Sequence, residues 1–180
     1  MRDETTPPTT GDRDDLGANE REIIAQRLKK AEGLRALGVN PYGNGQPPAH
    51  LAAEVQARYG EAPADEIAKD PGDWAVAGRV LALKSFGKAA FLKVRDRSGD
   101  LQVWVKKDKV SERDFEVFKL TDIGDVVRAS GPATRTKTGE LTLEARTFTV
   151  LTKAMRPLPD KWHGLGDVEQ RYRQRYVDLI

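Results

Sequence analysis

Between residues 20 and 37, Ile23, Ile24, Leu28, Ala31, Leu34 and Leu37 recur at the three-to-four spacing that collects one stripe of a helix, and Gly38 follows as a stop. Asn19 is placed to cap it. Arg21, Arg27, Lys29, Lys30 and Arg35 fill the other faces, which are either a solvated surface or a contact for a nucleic-acid backbone. Residues 40–48 (Asn-Pro-Tyr-Gly-Asn-Gly-Gln-Pro-Pro) form a loop by composition. A second helix is expected over about 49–59 and a short turn over 64–68.

From residue 74 the period changes from three-to-four to two. Val76, Gly78 and Val80 share one side of a first strand, with Ala77, Arg79 and Leu81 on the other. In the strand Ala89–Arg95, Leu92 and Val94 take the apolar side, so the ring of Phe91 points outward with Lys93 and Arg95. A third strand puts Leu101, Val103 and Val105 inward and Gln102 and Trp104 outward. Residues 96–100 (Asp-Arg-Ser-Gly-Asp) read as the hairpin turn that makes the second and third strands antiparallel neighbours. Residues 111–118 read as a short helix capped by Ser111. A fourth strand is expected over about 126–134, a turn over 137–140 and a fifth strand over about 141–151.

Five strands with a helix between the third and fourth is the pattern of the OB-fold, a small Greek-key barrel that binds oligonucleotides across its second and third strands. The fold class is therefore mixed β/α: a five-stranded Greek-key OB-fold barrel with N-terminal helices and a C-terminal linker helix. The divisions are an acidic disordered tail over 1–19, a helical extension over 20–70, the barrel over 71–152, and over 153–180 a linker and the start of a further domain. An outward ring, amide and guanidinium (Phe91, Gln102, Arg79) suit an unpaired base, because the ring stacks while the amide and guanidinium reach base edges or phosphate.

Charge adds to this only through its distribution. The 180-residue chain carries a net charge of +2, yet Arg79, Lys84, Lys88, Lys93, Arg95, Arg97, Lys106 and Lys107 crowd the strands against only Asp96 and Asp100. A local basic field suits a polyanion; lysines that guard sheet edges are the rival explanation. With no cysteine and two distant histidines, His50 and His163, neither a zinc site nor a histidine-based triad is expected. No apolar run approaches the roughly twenty residues of a membrane span, and no phosphate-binding glycine loop is present, so a cytoplasmic location is the default.

Several runs resemble the bacterial class II lysyl-tRNA synthetases. They are residues 151–165 (Leu-Thr-Lys-Ala-Met-Arg-Pro-Leu-Pro-Asp-Lys-Trp-His-Gly-Leu), residues 171–180 (Arg-Tyr-Arg-Gln-Arg-Tyr-Val-Asp-Leu-Ile), residues 34–42, Val76-Ala77-Gly78-Arg79, residues 87–91 and residues 136–141. The resemblance covers nearly everything after about residue 20. It implies an N-terminal anticodon-binding domain whose barrel recognises the anticodon of lysine tRNA, with a second-strand phenylalanine stacked on the central uridine; Phe91 matches that position. By the same resemblance Gln102 and Arg79 would read the uracil edge, Glu140 would sit near the anticodon loop, and Lys88, Lys93, Arg95, Lys29 and Lys30 are candidates for the tRNA backbone.

The resemblance also implies that the further domain starting within 153–180 is catalytic, is served by ATP and magnesium, and lies for the most part beyond Ile180. The chain as given is accordingly expected to hold no catalytic residue, no metal and no cofactor, to be inactive alone, and to be monomeric where the full-length family is a homodimer. Three alternatives stand beside this: the barrel of an aspartyl or asparaginyl enzyme, a stand-alone single-strand-binding module, and a protein-interaction barrel using Phe91 and Trp104.

Overall fold

The computed structural model describes residues 18–43, 47–156 and 172. Of the tail expected over 1–19, residues 1–17 lie outside the described residues, whereas Ala18 and Asn19 already belong to the first helix, so Asn19 is within it and not its cap. Of the expected linker and helix over 153–180, residues 157–180 lie outside apart from Tyr172. Helix α1 (Ala18–Ala36) ends where Gly38 turns the chain at φ 71°, a conformation that costs glycine little, and Val39 N donates to Leu34 O at 2.9 Å. Helices α2 (Ala52–Tyr59) and α3 (Ala64–Lys69) follow. Their apolar sides bury Val55, Tyr59 and Ile67, each within a range of about 1.5–3 kcal/mol for a fully buried large apolar side chain.

The strands are β1 (Trp74–Phe86), β2 (Ala89–Arg95), β3 (Asp100–Lys106), β4 (Val126–Gly131), β5 (Ala133–Arg135), β6 (Leu141–Glu144) and β7 (Thr147–Thr152), with α4 (Glu112–Lys119) between β3 and β4. Ser111 caps α4 by accepting from Asp114 N at 3.0 Å, as its sequence indicates. Seven strands appear in place of five because the two last expected strands each break. The fourth breaks at Pro132, which has no N–H to donate, and the fifth at Ala145-Arg146. At the same corner Gly131 lies so close to Glu144 O that a Cβ there would fall 2.0 Å from it.

The sheet runs in the order β5-β6-β3-β2-β1-β4-β7. β6 and β7 are thus far apart in the sheet although only two residues separate them in the chain. This curls the sheet round on itself, and Ala145 N to Trp104 O and Arg146 N to Ser130 O bridge the turn. The inner face carries Val80, Leu92, Val94, Leu101, Val103, Val105 and Leu143, all buried, as period two requires. α4 seals one end, packing Phe115 and Phe118 beside Phe148. The other end is covered by α2 and α3, held by Arg135, whose guanidinium donates to Tyr59 O, Gly60 O and Ala62 O.

β1 departs from the sequence reading in length and parity. It continues past Leu81 to Phe86, and its pairing with β2 slips between Val80 and Ala82, leaving Leu81 as one extra residue, a β-bulge. Val80 faces inward opposite Val94; beyond the bulge it is Leu83, opposite Leu92, that packs on the core. Ala82, Lys84 and Phe86 are therefore outward, sharing a face with their partners Lys93, Phe91 and Ala89. Gly87, at φ 67°, heads the two-residue turn into β2, the first-position glycine that type II′ hairpins require.

A buried ionic cluster ties α1 to the last described residues. Lys153 and Asp125 are fully buried and meet at 2.7 Å, and Lys153 Nζ also reaches Asp122 at 2.5 Å. Asp125 accepts from the backbone N–H groups of Asp122 and Ala154. Lys30 closes on the other oxygen of Asp122, while Arg27 donates to Ile123 O, Ala154 O and Arg156 O. Burial pushes the Asp122 carboxyl up, but Lys153 and Lys30 together pull it further the other way, and it rests below the ordinary value.

Candidate nucleic-acid interface

The outer face of β1, β2, β3 and β6 collects the side chains that could meet a base. Pairing Phe91 with Trp104 and Lys84, and Lys93 with Gln102, puts all of these on one side, since directly opposed residues in antiparallel strands share a face. The Phe91 and Trp104 rings stack with centroids 5.1 Å apart and planes 21° from parallel. Phe86, 65% exposed, meets Phe91 edge-on at 6.4 Å. Phe91 is thus the middle of three rings: Trp104, outward by its alternation in the sequence, and Phe86, which that alternation did not reach, flank it. Lys106 Nζ lies 3.3 Å from the centre of the Trp104 ring and is paired at 2.5 Å with Glu144, which sits opposite Trp104 in the β3–β6 ladder.

Gln102 stands next to this aromatic group. Its Nε2 donates to Glu140 at 2.8 Å, and its Oε1 accepts from the Thr142 hydroxyl at 2.7 Å. Glu140, placed near the site only by resemblance in the sequence reading, is brought to Gln102 by the turn preceding β6, in which Gly139 adopts φ 86°. Arg79 shares the face through its pairing with Arg95. It is anchored by donating to Gly124 O at 2.8 Å, which leaves other guanidinium donors in its fork.

The basic candidates divide. Lys93 and Arg95 both bind Asp100, at 2.9 Å and 2.5 Å. The Arg95 hydrogen bond, opposed by partial burial and aided by Lys93, holds the Asp100 carboxyl down at about 2, so it is ionised at neutral pH and offsets part of their charge. Lys88 is exposed in the β1–β2 turn, and Lys84 is exposed beside Phe91. On α1, Lys29 is exposed, but Lys30 belongs to the buried cluster through Asp122.

The sequence reading passed over Phe86, Thr142, Lys106 and Glu144 as parts of this face. Lys106 could have been found by continuing the alternation from Gln102 and Trp104. Phe86 could not, because the bulge reverses the count before it is reached. Thr142 carries no signal of its own in a strand where Leu141, Thr142 and Leu143 are all buried.

Chemically, the face offers stacking surface, an oriented amide and a carboxylate. No group of three or more metal-ligating residues occurs among the described residues, and none of their helices is long and apolar enough to cross a membrane.

Residues 74–151 match the family described as OB-fold nucleic acid binding domain. Over 167 residues the chain is 78% identical to the lysine–tRNA ligase of Anaeromyxobacter sp. (strain K), an alignment covering 93% of this chain and 33% of that protein. It is 46% identical over 165 residues to the lysine–tRNA ligase of Burkholderia multivorans, covering 92% and 32% respectively. With that of Enterococcus faecalis it shares 45% over 154 residues, covering 86% and 31%. The chain thus spans about one third of the length of the curated relatives it matches. From its curled sheet, its outward rings and these identities, the chain belongs to the lysyl-tRNA synthetase family and carries that family's OB-fold anticodon-binding domain.

Proposed function

We propose that the outer face of β1–β3 binds the anticodon loop of lysine tRNA, stacking the central uridine on Phe91 and reading its edge with Gln102. The observation that carries this reading is the Phe91 ring, backed by Trp104 at 5.1 Å, on the same face as an amide already fixed at both ends. Stacking accepts any base, whereas a fixed amide does not, so the pair supplies both affinity and choice. Arg79 contributes donors to uracil carbonyls or phosphate, and Glu140 acts through Gln102. Lys84 and Lys88 take phosphates, with Lys29 a more distant candidate on α1 and Lys93 and Arg95 partly neutralised by Asp100.

In the whole protein this domain serves a cytoplasmic lysine–tRNA ligase that uses ATP and magnesium to join lysine to its tRNA and acts as a homodimer. The described residues supply recognition to that reaction. The lysine–tRNA ligase identities favour lysine tRNA over the aspartyl and asparaginyl alternatives.

The test is a titration of the chain with a lysine-tRNA anticodon stem-loop and with the same loop carrying cytidine at the central position. Tighter binding of the uridine loop, with affinity falling steeply as salt rises, is expected. Equal affinities would leave an unspecific single-strand binder, and weak, salt-independent binding would leave a protein-interaction surface.

A further inference from the structure

We infer that Thr142 is a positioning residue that holds the Gln102 amide in one orientation and so allows the site to tell uracil from cytosine. The inference rests on the anticodon reading above and extends it to a residue that touches no base.

A glutamine side chain presents an oxygen at one corner and an NH₂ at the other, and rotation of the terminal amide exchanges them. Uracil and cytosine differ in the same sense. At ring position 3 uracil offers an N–H donor and cytosine a bare acceptor; at position 4 uracil offers an oxygen and cytosine an NH₂. An amide free to rotate can pair with either base by presenting one polarity or the other. An amide held in one polarity pairs with one base and sets like against like with the other. Discrimination by Gln102 therefore depends on what stops its amide from turning.

Two groups do so here. Glu140 lies 2.8 Å from Nε2, and an ionised carboxylate only accepts, so the NH₂ end is directed toward it. Glu140 is exposed at the end of the turn before β6, which makes it a solvent-screened anchor. Thr142 is the opposite kind of anchor: it is 0% exposed, stands in the β6 ladder directly beside Gln102, and donates its hydroxyl to Oε1 at 2.7 Å. The same hydroxyl lies 3.1 Å from Glu140 O, but it carries a single proton, which the shorter contact directs to Gln102 Oε1. With both anchors made, one N–H and one lone pair of Gln102 remain for a ligand, in an amide plane tied to the sheet. Phe91 fixes the plane of the base and Thr142 fixes the amide that meets its edge.

Thr142→Val keeps the branched shape and strand preference of the side chain and deletes only the hydroxyl. The expected result is a fall of about tenfold in the ratio of uridine-loop to cytidine-loop affinity, the scale of one bidentate contact. Part of that fall should appear as improved binding of the cytidine loop. Thr142→Ser, which retains the hydroxyl, should discriminate as the wild type does. Thr142→Ala reads the same loss if valine is poorly accommodated, and a thermal melt of each variant confirms folding. If the wild type discriminates and the folded variants lacking the hydroxyl do so equally, the role of Thr142 is overturned while anticodon recognition stands. If the wild type itself does not discriminate, the anticodon reading fails first.

Discussion

Replacing Phe91 with leucine isolates the stacking contribution from every charged contact on the same face. The ring lies against Trp104 with centroids 5.1 Å apart and meets the edge of Phe86 at 6.4 Å. Leucine keeps an apolar side chain against Trp104, so the fold loses mainly the aromatic pairing term, about 0.5–1.5 kcal/mol. The ligand loses its platform. Removing one base–aromatic stack costs about 1–3 kcal/mol, which weakens binding by a factor of about 5 to 150. No cation is removed, so the slope of log affinity against log salt should stay as in the wild type. Fluorescence anisotropy of a labelled lysine anticodon stem-loop, titrated at several salt concentrations, measures both quantities. A folded Phe91→Leu variant that binds within about threefold of wild type would refute stacking on this ring; a loss accompanied by a flatter slope would assign the effect to phosphate contacts instead.

Two further substitutions test the charges. Lys153→Met strands the buried Asp125 carboxylate with only backbone donors and should cost about 3–5 kcal/mol in urea unfolding, a loss below about 1 kcal/mol counting against the cluster. Because Asp122 is held below its ordinary value, its contribution is present above the unfolded carboxylate range and lost as pH falls through the lowered value. The gap between wild type and Lys153→Met should therefore narrow in acid. Asp100→Asn releases Lys93 and Arg95 and should tighten RNA binding. Each released cation that finds a phosphate adds about 0.7 to the magnitude of the salt slope, and an unchanged affinity and slope would show that neither cation reaches the RNA.

The inner and outer sides of β2 and β3 were legible because strict alternation there reports burial directly: Leu92 and Val94 are in, and Phe91 and Gln102 are out. The caps at Ser111 and Gly38 were legible because one residue's local chemistry decides each. β1 was only half legible. Up to Val80 its alternation holds, but an extra residue at Leu81 leaves no compositional mark, and the count beyond it comes out reversed. The engagement of Lys30 with Asp122, 92 residues away, was hidden for a different reason, whereas that of Arg95 with Asp100 follows from the register of the expected hairpin. A cation's partner across a fold is fixed by tertiary approach, which residue spacing does not encode. Thr142 illustrates the limit, since its composition and strand position are ordinary and only its distance to Gln102 gives it significance.

The bulge at Leu81 makes β1 two short strands of opposite parity fused at one residue. Upstream, even-numbered side chains such as Val76 and Val80 build the interior; downstream, even-numbered Ala82, Lys84 and Phe86 face outward beside Phe91. Deleting Leu81 would set Val80 and Ala82 side by side opposite Val94 and Lys93, a regular ladder in which Leu83 stays inward and Lys84 and Phe86 stay outward. The face is thus framed by the ladder with β2 and not by the count along β1: substitution or loss of Leu81 alters the local bend and twist of the strand, while Lys84 and Phe86 keep their places beside Phe91.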